Sequence, residues 1–154
     1  MVAKGISPEF VGAFVGVQQL IGEYARVVDR GTVDEVGHLF APAGRLVVHG
    51  GAEFEGPSGV AEFLTGSRAS RVESGFELRH HTSSVAIRIV DENTATGQCY
   101  FLAIGVVTGP DHWGRYEDQM VCIDGGWYFA RRQVVIEGAN PRGWIGSGKG
   151  TVTL

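Results

Sequence analysis

The sequence predicts an α+β domain, with N-terminal helices packed on one face of a curved antiparallel sheet. Three observations predict it. Helix signals are confined to the first half of the chain. Four long strand-like runs fill residues 76–137. Short turns separate those runs, above all Asp124-Gly125, a strong hairpin signal, so neighbouring strands run antiparallel. Helices early and strands late is the α+β order.

The first helix opens at Ser7-Pro8-Glu9: a capping hydroxyl, a proline suited to the first turn, and an acid at the positive helix end. Phe10, Phe14, Val17, Ile21, Tyr24 and Val28 recur at spacings of three and four, which is one helix face, and Gly31 closes the helix. Thr32 with Glu35 forms a capping box for a short second helix through Val36, Leu39 and Phe40, stopping at Ala41-Pro42. A first strand fits 45–49. Gly50-Gly51 turns the chain into a short strand at 52–55. Gly56-Pro57-Ser58 starts a third helix with an apolar side at Val60, Ala61, Phe63 and Leu64. It is expected to end at Thr65-Gly66-Ser67, before a polar loop to Gly75. The long strands then run 76–90, 94–107, 113–123 and 127–137.

At 154 residues the chain makes one domain with a substantial core. No apolar run is long enough to span a bilayer, and no signal-peptide core follows Met1, so neither a membrane partner nor export is expected and a cytoplasmic location is the default. A net charge of −4 argues against nucleic acid as a partner. Cys99 and Cys122 lie in strand runs and read as free thiols. Glycine is abundant, at 24 residues, and concentrates at turns and in the tail. Gly143 to Thr151 narrowly misses a phosphate-binding loop: Gly150 stands where serine or threonine must follow Lys149, and no helix can follow. A flexible tail, or a strap anchored by Trp144, is the expectation.

One position breaks a local rule. Asp29 sits in the last turn of the first helix, where the partial negative charge favours cations. Arg26 and Arg30 neutralising it in solvent is the bland explanation. The other is a functional carboxylate facing a strand histidine. Alternation puts His81 with the apolar face of Val85, Ile87 and Ile89, and His80 with Thr82 and Ser84, unless a bulge intervenes. An aspartate fixing the tautomer of one of these histidines would make a general acid/base pair, with Tyr24 as donor to a substrate oxygen. His38 and His49 read as exposed, and His112 as a loop residue. Metal-ligand spacing is absent. On the third long strand Trp113, Arg115 and Glu117 share one face and Tyr116, Asp118 and Met120 the other; either could line a pocket. Arg131 and Arg132 alternate, and one can meet an interior carboxylate.

Several motifs, in order, resemble the SnoaL-like branch of the nuclear-transport-factor-2-like superfamily. They are Tyr24-x4-Asp29-Arg30-Gly31, Leu39-Phe40-Ala41-Pro42, Arg79-His80-His81-Thr82-Ser83-Ser84, Gly114-Arg115-Tyr116-x-Asp118 and Asp124-Gly125-Gly126-Trp127. The resemblance spans about residues 8–138 and leaves a glycine-rich tail over 139–154. It implies a cone-shaped α+β barrel with an apolar pocket, a homo-oligomer, and enzymes similar to scytalone dehydratase, bile-acid dehydratase and hexachlorocyclohexane dehydrochlorinase. These use a histidine–aspartate pair and no cofactor. The resemblance assigns Tyr24, Asp29 and His80 as catalytic, the last by counting back from Ala95-Thr96-Gly97, and adds Tyr116 and Arg132. With Phe40 and Glu117 those two are the substrate-binding candidates. The chain departs at Ser83-Ser84, where many relatives have asparagine, and at Ala43-Gly44. The implied activity is a cofactor-independent dehydratase or lyase acting on a hydrophobic hydroxylated or carbonyl-bearing small molecule, in a pocket lined by residues such as Phe14, Leu39, Phe40 and Phe101. A cyclase or isomerase, or a non-catalytic binding or dimerisation module, are the alternatives.

Overall fold

The computed structural model describes residues 7–152. Helix α1 spans Pro8–Arg30, and the Ser7 hydroxyl accepts the Phe10 N–H at its start. Its stripe of Val17, Leu20, Ile21, Tyr24 and Val27 is buried. Phe10 and Phe14 extend the pattern by sequence but are exposed, because the first turns of α1 project beyond the core. Helix α2 spans Val33–Gly37 behind a complete capping box: the Glu35 N–H donates to the Thr32 hydroxyl and the Thr32 N–H to the Glu35 carboxylate.

Leu39 and Phe40 are not helical, contrary to expectation. Strand β1 runs Phe40–Val47. Pro42 cannot donate to a helix, and the Phe129 N–H captures the Leu39 carbonyl, drawing the chain onto the sheet. Strand β2 is Glu53–Glu55. Helix α3 runs Gly56–Glu73, so the loop expected from Thr65 to Gly75 is mostly helix. A long-range contact overrides the weak local propensity there. The Arg68 guanidinium donates to the last carbonyls of α1, at Gly31 (2.6 Å), Val28 (3.1 Å) and Val27 (3.3 Å). The cation that the end of α1 calls for therefore comes from α3.

Strands β3 (Leu78–Ile89), β4 (Thr94–Gly105), β5 (Gly109–Ile123) and β6 (Gly126–Ala139) form a meander. The sheet order is β2-β1-β6-β5-β4-β3. The β1–β6 pair is parallel, where an all-antiparallel sheet was expected, and the curled sheet stays open at β2 and β3.

Two bulges decide which side chains reach the interior. In β3, Ser83 pairs with Tyr100 but Ala86 with Gln98, so one extra residue is accommodated, and Ser84 takes φ 52°. Before the bulge Leu78, His80 and Thr82 turn inward; after it Val85, Ile87 and Ile89 do. His81 is exposed. In β5, His112 pairs with Ala103 and Pro110 with Ile104, leaving Asp111 as the extra residue. Adjacent strand residues normally diverge, yet Asp111 and His112 are both buried.

Candidate active site

The two histidines, each with its own aspartate, line one cavity between α1, α3 and the inner face of the sheet. The His80 ring Nδ1 lies 2.7 Å from Asp29 Oδ1, and the His80 backbone N–H donates to Asp29 Oδ2 at 2.8 Å. Both side chains are nearly buried, at 11% and 8% exposure. An ionised carboxylate accepts only, so opposite one the neutral ring carries its proton on Nδ1 and leaves Nε2 free to accept. Arg26 pairs with Glu23 on the surface and Asp29 is shielded from solvent against His80, so the bland account of Asp29 does not hold.

His112 Nδ1 lies 2.8 Å from Asp111 Oδ1, and its ring centroid is 5.9 Å from that of His80. Burial pushes the His112 pKa down, against the opposing pull of Asp111. Burial also opposes ionisation of Asp111, but hydrogen bonds from His112 and from the Trp144 and Ile145 N–H groups outweigh it and hold the acid below its usual range. Those two amides belong to the C-terminal segment. Trp144 donates to Asp111 Oδ2 at 2.6 Å, and Trp144 and Ile145 are buried against the cavity. The tail is thus a strap with Trp144 as anchor, laid over this chain's own pocket. Residues 141–148 form turns and bends, and 149–152 are not helical, whereas a phosphate-binding loop needs a helix after its lysine.

The cavity encloses about 100 Å³. Val28, Leu46, Val48, Leu64, Phe101, Val134 and Ile136 supply apolar walls; Tyr24, Tyr116, His80, His112, Ser67 and Arg71 supply the polar groups. Burial raises the pKa of Tyr24, and that of Tyr116 well above the ordinary phenol range, so both stay protonated donors.

The expected site residues divide. Tyr24, His80, Tyr116 and Phe101 line the cavity, and Asp29 stands behind His80. Phe40 is core, packed edge-on against Tyr24 behind the wall. Arg132 does not reach the cavity. It is fully buried, paired in two hydrogen bonds with Asp118 (2.8 and 2.7 Å), and sandwiched 4.0–4.3 Å from the ring centres of Phe129, Tyr24 and Tyr116. Burial opposes its charge, but Asp118 more than compensates and raises its pKa. Glu117 lies on the other face of β5, bonded to Arg115. Phe14 is exposed, and Leu39 lines a separate surface depression. His49 is not exposed as expected; its Nδ1 accepts the Ile136 N–H. Asp111, His112 and Arg71 were missed. An Asp-His dipeptide just after a Gly-Pro turn was the available signal, and only the bulge turns it inward.

A family model for the SnoaL-like domain matches residues 14–133. The chain belongs to the SnoaL-like family. No curated protein matches it significantly. Solved structures do, at low identity. A candidate scytalone dehydratase from Novosphingobium aromaticivorans superposes with a TM-score of 0.72 at 22% identity, covering 86% of this chain and 89% of that one. The LinA-type3 hexachlorocyclohexane dehydrochlorinase of Novosphingobium barchaimii gives 0.72 at 14% identity over 86% and 91%. A Mycobacterium tuberculosis protein of unknown function gives 0.75 at 19% over 87% and 78%. These similarities establish the fold, which chains of divergent sequence share. Among the described residues, no helix is long and apolar enough to cross a membrane.

Proposed function

We propose that this SnoaL-like protein is a cofactor-independent dehydratase or lyase acting on a hydrophobic small molecule that carries a carbonyl and a leaving hydroxyl. The observation that carries this reading is the hydrogen-bonded Asp29–His80 pair on the wall of an apolar cavity. A non-catalytic module would have no need to fix an imidazole tautomer beside such a cavity.

Asp29 holds the Nδ1–H tautomer, so Nε2 of His80 takes a proton from the carbon beside the carbonyl. The electron pair of that C–H bond becomes the new C=C bond as the C–O bond breaks, and the departing hydroxide takes a proton from His80 to leave as water. Tyr24 and Tyr116, kept protonated by burial, donate to the carbonyl oxygen as negative charge builds there. The bare Nε2 of His112 accepts from the substrate hydroxyl and holds it across from His80. A proton-transfer group of this kind is worth about 10²–10⁴ in rate.

The test is a panel of hydrophobic β-hydroxy carbonyl compounds in D₂O, followed by mass spectrometry for water loss and deuterium uptake. Wild type should turn over at least one. His80→Ala should lower that turnover by about 10²–10⁴, while the protein still unfolds cooperatively, at a melting point reduced by loss of the Asp29 bond. Undiminished turnover in His80→Ala rejects the reading.

A further inference from the structure

Arg71 is the one partly buried arginine that makes no hydrogen bond or ion pair with the described residues. Every other arginine with a shielded side chain has a partner. Arg68 serves the α1 carbonyls, Arg79 is bonded to Glu77 and the Leu78 carbonyl, Arg115 to Glu117 and Glu137, Arg131 to Gln133, and Arg132 to Asp118. Arg30, Arg88 and Arg142 also lack partners, but they are exposed and water serves them. Arg71 instead lines the cavity.

Its surroundings do not supply an anion. Burial and the neighbouring Arg68 and Arg79 disfavour its charge, and the two acids in range, Asp29 and Glu77, are bonded to His80 and to Arg79. Its place in the last turn of α3 suits the helix dipole, yet an exposed arginine would serve that end equally. On α3 the cavity-facing residues Leu64, Ser67 and Arg71 follow at spacings of three and four, so this helix face runs from apolar through hydroxyl to cation. A ligand matching that gradient has an apolar body and one anionic end. A guanidinium fork fits a carboxylate in two parallel hydrogen bonds.

We infer that the cavity selects an apolar carboxylate and that Arg71 is the residue that binds its anionic end. The inference rests on the reading of this cavity as a substrate site, and narrows the substrate to a small hydrophobic acid. A cavity of about 100 Å³ is of the order that admits a single aromatic ring, which sets the probes.

The experiment is calorimetric or NMR titration of the full chain with phenylacetate and with phenylacetamide, its neutral match in shape. Wild type should prefer the acid by at least about tenfold, in keeping with a charge-assisted bond, and the preference should shrink as salt is raised. Arg71→Gln should abolish the preference while leaving affinity for the amide unchanged; Arg71→Lys should keep part of it. Equal affinity for acid and amide, no binding of either, or a preference that survives Arg71→Gln overturns the inference. Binding needs no turnover, so His80→Ala should show the same preference as wild type. A dead catalytic proposal and a dead anion site are thereby told apart.

Discussion

Replacing Asp29 by Asn changes one atom in a carboxylate that makes two hydrogen bonds to the same residue. Asp29 Oδ2 accepts the His80 backbone N–H at 2.8 Å, and Oδ1 faces the ring Nδ1 at 2.7 Å. Asparagine has one acceptor oxygen. If that oxygen keeps the backbone N–H, the amide NH₂ faces Nδ1. The ring must then accept there and carry its proton on Nε2, which blocks the base. If the amide flips, the NH₂ group confronts the backbone N–H, leaving two donors opposed in a site with 8% exposure. The first arrangement costs less, so the tautomer inverts. Proton transfer contributes about 10²–10⁴, and a neutral swap at a tautomer-fixing aspartate has cost about 10⁴ in another histidine-based site. Turnover of Asp29→Asn should therefore fall by about 10³–10⁴. Stability should fall by only about 1.5–3 kcal/mol, the worth of a charged hydrogen bond. Steady-state kinetics on the substrate found by screening gives the first quantity and urea unfolding the second. Nitrogen chemical shifts of the His80 ring report the tautomer with no substrate present. Turnover within about threefold of wild type, or a ring still protonated at Nδ1, would refute the reasoning.

Three further outcomes follow from the geometry. Arg132→Met strands the buried Asp118 carboxylate and should cost about 3–5 kcal/mol, whereas adding Asp118→Leu should recover most of it; equal losses in denaturant melts would contradict this. Ser84 occupies the left-handed region at φ 52°, so Ser84→Val should lose at least about 1 kcal/mol more than Ser84→Gly, with calorimetric melting as the measurement and identical melting points as the failure. Burial depresses the His112 pKa in the folded protein relative to its unfolded value near ~6.5. Above that pH both states hold it neutral; below it the unfolded chain binds a proton first, so stability should decline with falling pH until the folded value is passed. His112→Asn should flatten that decline, and an unaltered pH profile would count against it.

The order of elements was legible because it rests on local signals. The Thr32–Glu35 box and the Asp124-Gly125 hairpin act within a few residues, and both appear where expected. The misreadings all involve partners distant in sequence. Phe40 joins a strand because Phe129 pairs with it, and α3 continues past Ser67 because Arg68 has α1 carbonyls to meet. The same division holds at the site. Tyr24 lies on a helical stripe that period alone reveals, and it lines the cavity. Alternation placed His81 inward, and the family resemblance placed His80 there; the bulge at Ser84 settles the side-chain directions in favour of His80. Asp111 and His112 were illegible for the same reason, since a one-residue bulge leaves no mark on composition or periodicity. Arg71 was hidden in a segment that reads as loop. Alternation of Arg131 and Arg132 shows that one can meet an interior carboxylate, as Arg132 does with Asp118, but carries no sign that aromatic rings would enclose it away from the cavity.

The shared carboxylate of Asp111 has a thermodynamic consequence. Its Oδ1 holds the His112 ring while Oδ2 receives the Trp144 amide of the strap, and its side chain is fully shielded. Docking of the strap and the protonation pattern of His112 are therefore not independent equilibria. Whatever favours the docked strap favours the Nδ1–H form of the ring, and by reciprocity whatever fixes that form tightens the strap by the same factor. A ligand that engages His112 will thus be felt some thirty residues along the chain, at Trp144, as a change in how long the cavity stays covered.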